Sequence, residues 1–491
     1  MNALVRILDW PTEIEDSLGL ALWDAVSLAR AMDGVAIGEF QVAGVEIDSR
    51  DVIEGDLFFA LKGEAMDGHR FVPMAFAKGA AAVVVDRPVD GPHILVKDTS
   101  SALELLAKAA RERADATIIG VTGSVGKTGV KEAIFAALDR ASRGKAHRSV
   151  KSYNNHVGVP LSLVRMDART RFGVFEMGMN HAGEIAALAA QVRPHVAVIT
   201  TIAPAHIEML GSEEAIADAK AEIFGGLMPG GTAVIPADSP HFARLRDAAL
   251  AVGATLVSFG SAAHADVRLL DTVAAPGGGS LVTADLGDRR VCYTVAMPGE
   301  HWIANSLAVM AAVRAAGGDL GAAGLALAEM AGLKGRGARS QIATSDGGSA
   351  VLIDESYNAN PASMRATLAQ LGASPATRRI AVLGAMKELG DLGPAFHVAL
   401  ADPITAAGVD HLILVGTEMQ VLADKLAAGE LGKSAGSMLG KGNRVAHCGT
   451  ASEALAALRA LGLESGDAIL VKGSNSVGLG AVVAALAKQE G

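Results

Sequence analysis

Residues 117–131 read TIIGVTGSVGKTGVK: a short β-branched run, a glycine-punctuated turn, then Gly126-Lys127-Thr128 opening a helical stretch. β-branched residues suit a buried strand, and glycines let the backbone turn tightly enough for its N–H groups to ring phosphate oxygens at a helix N-terminus. In such a loop Lys127 supplies a point charge and the Thr128 hydroxyl can ligate Mg²⁺. The candidate cradle for the phosphates of a nucleoside triphosphate is therefore Gly123, Ser124, Val125, Gly126, Lys127, Thr128 and Gly129. The spacing departs from G-x-x-x-x-G-K-[ST], since Val121 stands five residues before Gly126 and the glycines fall at 120, 123 and 126. An ordinary glycine-rich turn after a buried strand is the plainer alternative. The order of strand, spaced glycines, Gly-Lys-Thr and helix argues against it.

Working outward, the apolar runs FGVFEMG (172–178), VAVITTI (196–202) and TAVIPAD (232–238) alternate with helical stretches, as βαβ units do. Residues Asp266 to Met297 carry strand patterning around AAPGGGSLVT and read as a hairpin insertion, followed by a helix from His301 to Ala315. Upstream, VEIDSR (45–50) and GDLFFALKG (55–63) read as two strands around a turn. AKGAAAVVVD and HILVKDTSSALELLAKAARE add a helix end, strand, turn and amphipathic helix capped by Asp98, Thr99 or Ser100. Downstream, the glycine-rich GLKGRGARS (332–340) precedes RRIAVLGAM, HLILVGTEM and GDAILVKGS, three strand–glycine edges that imply a second open sheet with its ligand side at the strand C-termini. The expected fold is α/β in three domains. These are a small N-terminal α/β module over 1–112, a central P-loop domain with a mostly parallel sheet over 113–331, and a C-terminal Rossmann-like open sheet over 332–491.

Composition agrees with buried parallel strands under small-residue helices: 491 residues, 50% hydrophobic, 4% aromatic, 57 glycines. The net charge of −10, with no basic block, excludes an electrostatic footprint for nucleic acid. Cys292 and Cys448 lie far apart, so neither a disulfide framework nor a zinc site is supported. MNALVRILDWPTEIEDSL carries acids where a signal core would be apolar, and no apolar stretch is long enough to span a bilayer. A cytoplasmic, monomeric protein is expected.

Three residues after the loop belong with it. Glu176 ends an apolar strand, where a carboxylate either reaches solvent or faces a cation. His206, in TTIAPAHIE, follows the strand Val196 to Thr201 and is either a satisfied structural histidine or a metal ligand. Lys220, in EEAIADAKAEIF, shares a helix face with Ile216, Ile223 and Phe224. A lysine on that stripe either snorkels, its stem covering apolar surface, or is buried with a lowered pKa. A neutral amine can take up CO₂ and become a negatively charged carbamate able to bind metal. Tyr153-Asn154-Asn155-His156 and IDESYNANPASM (353–364) place polar side chains beside turns, which local turn chemistry alone would explain. Asp354 and Glu355, adjacent on a strand, point to opposite faces and are not a two-carboxylate catalyst. Arg336 and Arg339 either clamp phosphate or are solvated linker charges.

Taken together, TGSVGKT, NNHVGVP, FEMGMNHAGEI, APAHIE, AKAEIF and SYNANPASM resemble, in order and approximate spacing, the ATP-dependent Mur ligases of peptidoglycan synthesis, over nearly the whole chain. DSR…GDLFFALKGEAMDGHRF, SYNANP and the lack of Asp-Asn-Pro-Arg point to the D-alanyl-D-alanine-adding branch rather than the diaminopimelate- or lysine-adding one. A P-loop ATPase without ligase activity is the rival from another class. The resemblance implies that Lys127 and Thr128 contact ATP phosphate and Mg²⁺, and that Glu176, His206 and a carbamylated Lys220 hold a second Mg²⁺. It places Asn305 near the adenine, Arg336 on the nucleotide at the hinge and Glu355 near the ribose. It also places Ser49 and Arg50 at the uridine end of a UDP-N-acetylmuramoyl-tripeptide. Asn154 and Asn155 would also bind substrate, and Asn358, Asn360 and Ser474 would meet the incoming D-alanyl-D-alanine. Substrates on separate domains imply closure before reaction. The chain departs from the family pattern at Gly129, usually Ser or Thr; Trp302, usually Asn; Glu355, usually Asp; Ala385, usually acidic; and Asn475, usually Arg. VGLGAVV also lacks the usual Met-Glu ending.

Overall fold

The computed structural model of the chain describes residues 21–63, 66–150, 152–276, 278–428 and 445–488. The N-terminal sequence judged unlike a signal peptide lies outside them, as do residue 277 of the hairpin turn and residues 64–65. The chain forms two compact units, Met1–Ala114 with Pro160–Ala168, and Asp115–Val159 with Arg169–Gly491. The architecture is mixed α/β with mainly parallel sheets, as expected.

In the first unit a five-stranded sheet runs Val35–Ile37, His93–Leu95, Ala82–Val85, Asp56–Phe59 and Gly44–Glu46. The last two pair in parallel, so the turn between them is a crossover and not a hairpin bend. The helix Thr99–Arg113 is capped by Asp98, whose carboxylate accepts from the Ser101 N–H. Arg113 lies 3.4 Å over the Trp23 ring and donates to the Leu22 and Met166 carbonyls, fixing the short stretch 160–168 to this unit.

Among the described residues the second unit holds two sheets. The larger has nine strands, with Thr117–Thr122 between Phe172–Glu176 and Val196–Ile199. These three are parallel and buried, and register sets Glu176 beside Val121 and Ile199 beside Thr122. Chain order reverses at this point, so a crevice opens beyond their carboxyl ends. The expected hairpin insertion is a three-stranded antiparallel meander, Val267–Ala274, Ser280–Asp285 and Arg290–Val295, extending the sheet at one edge. The helices Lys127–Ser142 and Glu300–Ala315 pack into the apolar core on this sheet through Val130, Ile134, Leu307 and Met310. The smaller sheet has six strands, five of them parallel; Ser349–Glu355 and Asp467–Lys472 are neighbours with Glu355 opposite Lys472. Both cysteines are unpaired. Among the described residues no helix is long and apolar enough to cross a membrane.

Candidate active site at two sheet edges

The three glycines of the loop do different work. Gly120 lies inside the strand, where a Cβ would come 2.5 Å from the Met177 Cε, so its role is close packing. Gly123 and Gly126 hold φ of +148° and +90°, in the region that side chains avoid. Their surroundings also exclude a Cβ, which would lie 2.0 Å from Thr200 Oγ1 at Gly123 and 2.8 Å from Asn305 Oδ1 at Gly126. The loop is stapled to the neighbouring strand end: Ser124 N–H donates to the Thr201 carbonyl (2.7 Å), Ser124 Oγ to the Ala203 carbonyl (2.9 Å) and Thr200 Oγ1 to the Val125 carbonyl (2.5 Å). The cradle is thus preformed. Lys127 Nζ rests on the Gly123 carbonyl at 2.7 Å, within the loop it would share with phosphate.

One cavity of about 370 Å³ gathers most of the residues expected at the site, a volume in the small-molecule range. From the larger sheet it is lined by Ser124, Val125, Gly126, Lys127, Gly129, Asn154, Asn155, Glu176, His206, Lys220 and Asn305. From the smaller sheet and its connection it is lined by Arg336, Glu355, Asn358 and Asn360.

Glu176 is fully buried. Its two oxygens accept from Thr128 Oγ1 and Asn154 Nδ2, each at 2.8 Å. Both donors are neutral, so a buried carboxylate here suits a cation. Lys220 is 1% exposed and has no hydrogen-bond or ion-pair partner among the described residues. Burial holds its ammonium well below the ordinary lysine range, and the charge of Lys127 adds to the effect. Lys127 is itself lowered, first by desolvation and also by Arg336, with Glu176 opposing. Ile216, Ile223 and Phe224 around Lys220 are buried, so its stem does not run out to solvent. His206 and Glu388, from the two sheets' loops, both take φ of +64° and meet at 2.5 Å between Nδ1 and Oε2. The two atoms lie within hydrogen-bond reach, although the angle at Nδ1 is not well aligned. Hydrogen bonding from the His206 side chain holds the Glu388 carboxyl below its usual value against the opposing effect of burial.

Several expected contacts have local work as well. Asn155 Oδ1 accepts from Gly158 N–H, Asn358 Oδ1 from Ala359 N–H, and Asn360 caps the helix Pro361–Ala373 by accepting from Ser363 N–H. Asp354 and Glu355 diverge as expected: Asp354 accepts from Gly335 and Ser356 N–H, while Glu355 faces the cavity and pairs with Lys472 at 3.3 Å. Arg336 spans the connection, stacked 4.2 Å over Tyr357 and donating to Ser152 Oγ. Arg339 is exposed and does not line the cavity. Ser474 stands behind the lining, its Oγ accepting from the Lys387 N–H. Ser49 and Arg50 belong to the other unit, where Ser49 is buried and Arg50 is exposed and tied to Asp48. Sequence reasoning missed Lys472, His301, Tyr357 and Glu388. Lys472 ends a recognised strand and was findable, whereas the Glu388 approach to His206 had no local signal.

Three family models match the chain: the Mur ligase family catalytic domain over 41–116, the Mur ligase middle domain over 121–313, and the Mur ligase glutamate ligase domain over 338–475. A Synechocystis protein named UDP-N-acetylmuramoyl-tripeptide--D-alanyl-D-alanine ligase is 38% identical over 99% of this chain and 98% of its own. The crystal structure of MurF from Acinetobacter baumannii matches with a TM-score of 0.79 at 30% identity, over 95% of this chain and 99% of that one. MurF from Thermotoga maritima, solved in complex with ADP, matches with a TM-score of 0.72 at 25% identity, over 91% of this chain and 97% of that one. With three family models along it and a relative 38% identical over nearly its whole length, the chain belongs to the Mur ligase family, among relatives named as D-alanyl-D-alanine-adding ligases.

Proposed function

We propose that the chain uses ATP to join D-alanyl-D-alanine to the terminal carboxylate of a UDP-N-acetylmuramoyl-tripeptide, the reaction its relatives are named for, in cytoplasmic peptidoglycan precursor synthesis. The observation that carries this is the convergence of Lys127, Glu176 and Lys220 from one sheet with Asn358 and Lys472 from another on a single cavity. ATPase chemistry alone would not require the second group.

A carboxylate resists attack because oxide is a poor leaving group. In the first step a carboxylate oxygen bonds to the γ-phosphorus and ADP departs, leaving an acyl phosphate. In the second the dipeptide amine bonds to the acyl carbon, loses a proton, and expels phosphate. The first step is mainly a matter of gathering negative charge. Lys127 and the loop N–H groups would hold the β and γ phosphates, with Arg336 and Asn305 on the nucleotide and Glu355 toward its ribose.

With Lys220 carbamylated, the donors would suit two Mg²⁺ ions. Thr128 would hold one and Glu176, His206 and Lys220 the other; bound, they would neutralise phosphate and carboxylate charge. Among the described residues no three His, Cys, Asp or Glu side chains converge as a ready metal group. Addition of the neutral Lys220 amine to CO₂, with loss of one proton, would provide the missing anionic donor in a site that is otherwise short of one.

Ser49 and Arg50 would take the uridine end, and Asn154, Asn155, Asn358, Asn360 and Ser474 the peptide and the incoming amine. The division at 1–112, 113–331 and 332–491 and a monomeric state belong to the same proposal. Mass spectrometry of the product from ATP, D-alanyl-D-alanine and UDP-tripeptides ending in lysine or diaminopimelate tests it. A product heavier than one tripeptide by one dehydrated dipeptide is expected. ATP turnover with unaltered peptides would overturn it.

A further inference from the structure

Among the described residues, five other than glycine hold φ in the left-handed region, and two of them, His206 and Glu388, meet each other. Such a backbone is strained for a residue with a side chain and persists only where its surroundings fix it. Around Glu388 they do. Met386 N–H donates to His397 Nε2 at 2.9 Å, Lys387 N–H donates to Ser474 Oγ at 3.0 Å, and Leu389 is buried. The loop after the strand Arg378–Gly384 is thus pinned on both sides of Glu388, which it presents to His206. The two turns also touch through their backbones. The Glu388 carbonyl accepts from Glu208 N–H at 3.3 Å, and a Cβ on Gly390 would lie 3.3 Å from Glu208 Cγ, so residues 388–390 rest on 206–208.

His206 Nδ1 is shut off from solvent, with Glu388 Oε2 2.5 Å away. A carboxylate oxygen does not rest that close to a bare nitrogen lone pair, since both are acceptors, so the hydrogen between them is on Nδ1. That leaves Nε2 as the ring nitrogen able to offer a lone pair to a cation, and a carboxylate on the far nitrogen is what fixes the tautomer and orientation of a ligating imidazole.

Resting on the reading of His206 as a metal ligand, we propose that Glu388 is a positioning residue for it: the carboxylate holds the hydrogen on Nδ1 and leaves Nε2 for the cation. Glu388 comes from a loop of the smaller sheet and His206 from a loop of the larger one. His206 is therefore set for metal only while the two loops are docked. The competing role is a tie between loops that leaves the tautomer alone.

Nitrogen-15 NMR of histidine-labelled, metal-free enzyme reads the tautomer of each ring, with the His206 signals assigned by their loss in H206G, a change that keeps the left-handed backbone free of strain. The Glu388 side chain is half-exposed, so E388Q and E388L should fold. Wild type and E388Q, whose amide oxygen still accepts, should carry the His206 hydrogen on Nδ1, and in E388L it should move at least in part to Nε2. Mn²⁺ titrated into each protein in bicarbonate and followed by electron paramagnetic resonance should bind about tenfold more weakly to E388L and within about threefold of wild type to E388Q. A wild-type hydrogen on Nε2, a hydrogen still wholly on Nδ1 in E388L, or equal Mn²⁺ affinity in E388L and wild type overturns the proposal, as do equal losses in E388Q and E388L. H206G that binds Mn²⁺ as tightly as wild type overturns the metal-ligand reading beneath it, a different result from any of these.

Discussion

Lys220 is a buried amine without a hydrogen-bond or ion-pair partner among the described residues, placed near a second positive charge. Burying an unpaired ammonium is costly, and the group answers by giving up its proton. Only the neutral amine adds CO₂, so carbamate occupancy should be high above the lowered pKa and fall as pH drops through it. Carbon-13 NMR in labelled bicarbonate should show a carbamate resonance in wild type that is absent from K220R and fades on the acid side. K220A should lose activity by at least about a hundredfold and regain part of it with added short carboxylic acids. An active, unrescued K220A would contradict the assignment. The sequence placed Lys220 on its apolar stripe because helix period alone does so; whether the amine snorkels depends on Ile216, Ile223 and Phe224 being covered, and that is decided by packing.

At the scale of elements, Asn360 tests how much of the amine side is fold and how much is site. Its side chain closes a capping box with Ser363 at the start of the helix Pro361–Ala373. N360A should therefore cost about 1 kcal/mol in denaturant unfolding, with N360D nearly neutral. If N360D also keeps its affinity for the dipeptide, the residue acts chiefly as a cap. The strands and the phosphate loop were legible because β-branched runs, glycine turns and helix period are local signals, as Thr117–Thr122 and Gly123 illustrate. The seating of the Trp302 ring on Gly129, where a Cβ would lie 2.7 Å from the indole, was not, because each stood in the sequence only as a separate departure from the family pattern. Nor was the parallel pairing of Gly44–Glu46 with Asp56–Phe59, since a turn between two strands does not state their direction.

At the scale of the whole second unit, two parallel-rich sheets present their carboxyl edges to one cavity. Phosphate chemistry lies on one edge, at Lys127 and Glu176, and the Asn358 and Lys472 wall on the other. His206 and Glu388 join the two near the proposed metal. This arrangement makes sense for a reaction in which an activated carboxyl must meet an amine before water does. The central claim is that the carboxylate oxygen itself becomes the bridge to phosphorus. Incubating the enzyme with ATP, D-alanyl-D-alanine and a UDP-tripeptide carrying ¹⁸O in both oxygens of its terminal carboxylate tests this directly. The account predicts inorganic phosphate with one ¹⁸O atom per molecule of peptide product, formed only when the dipeptide is present. Unlabelled phosphate beside the peptide product, with the ¹⁸O lost on amide formation appearing in water instead, would contradict it.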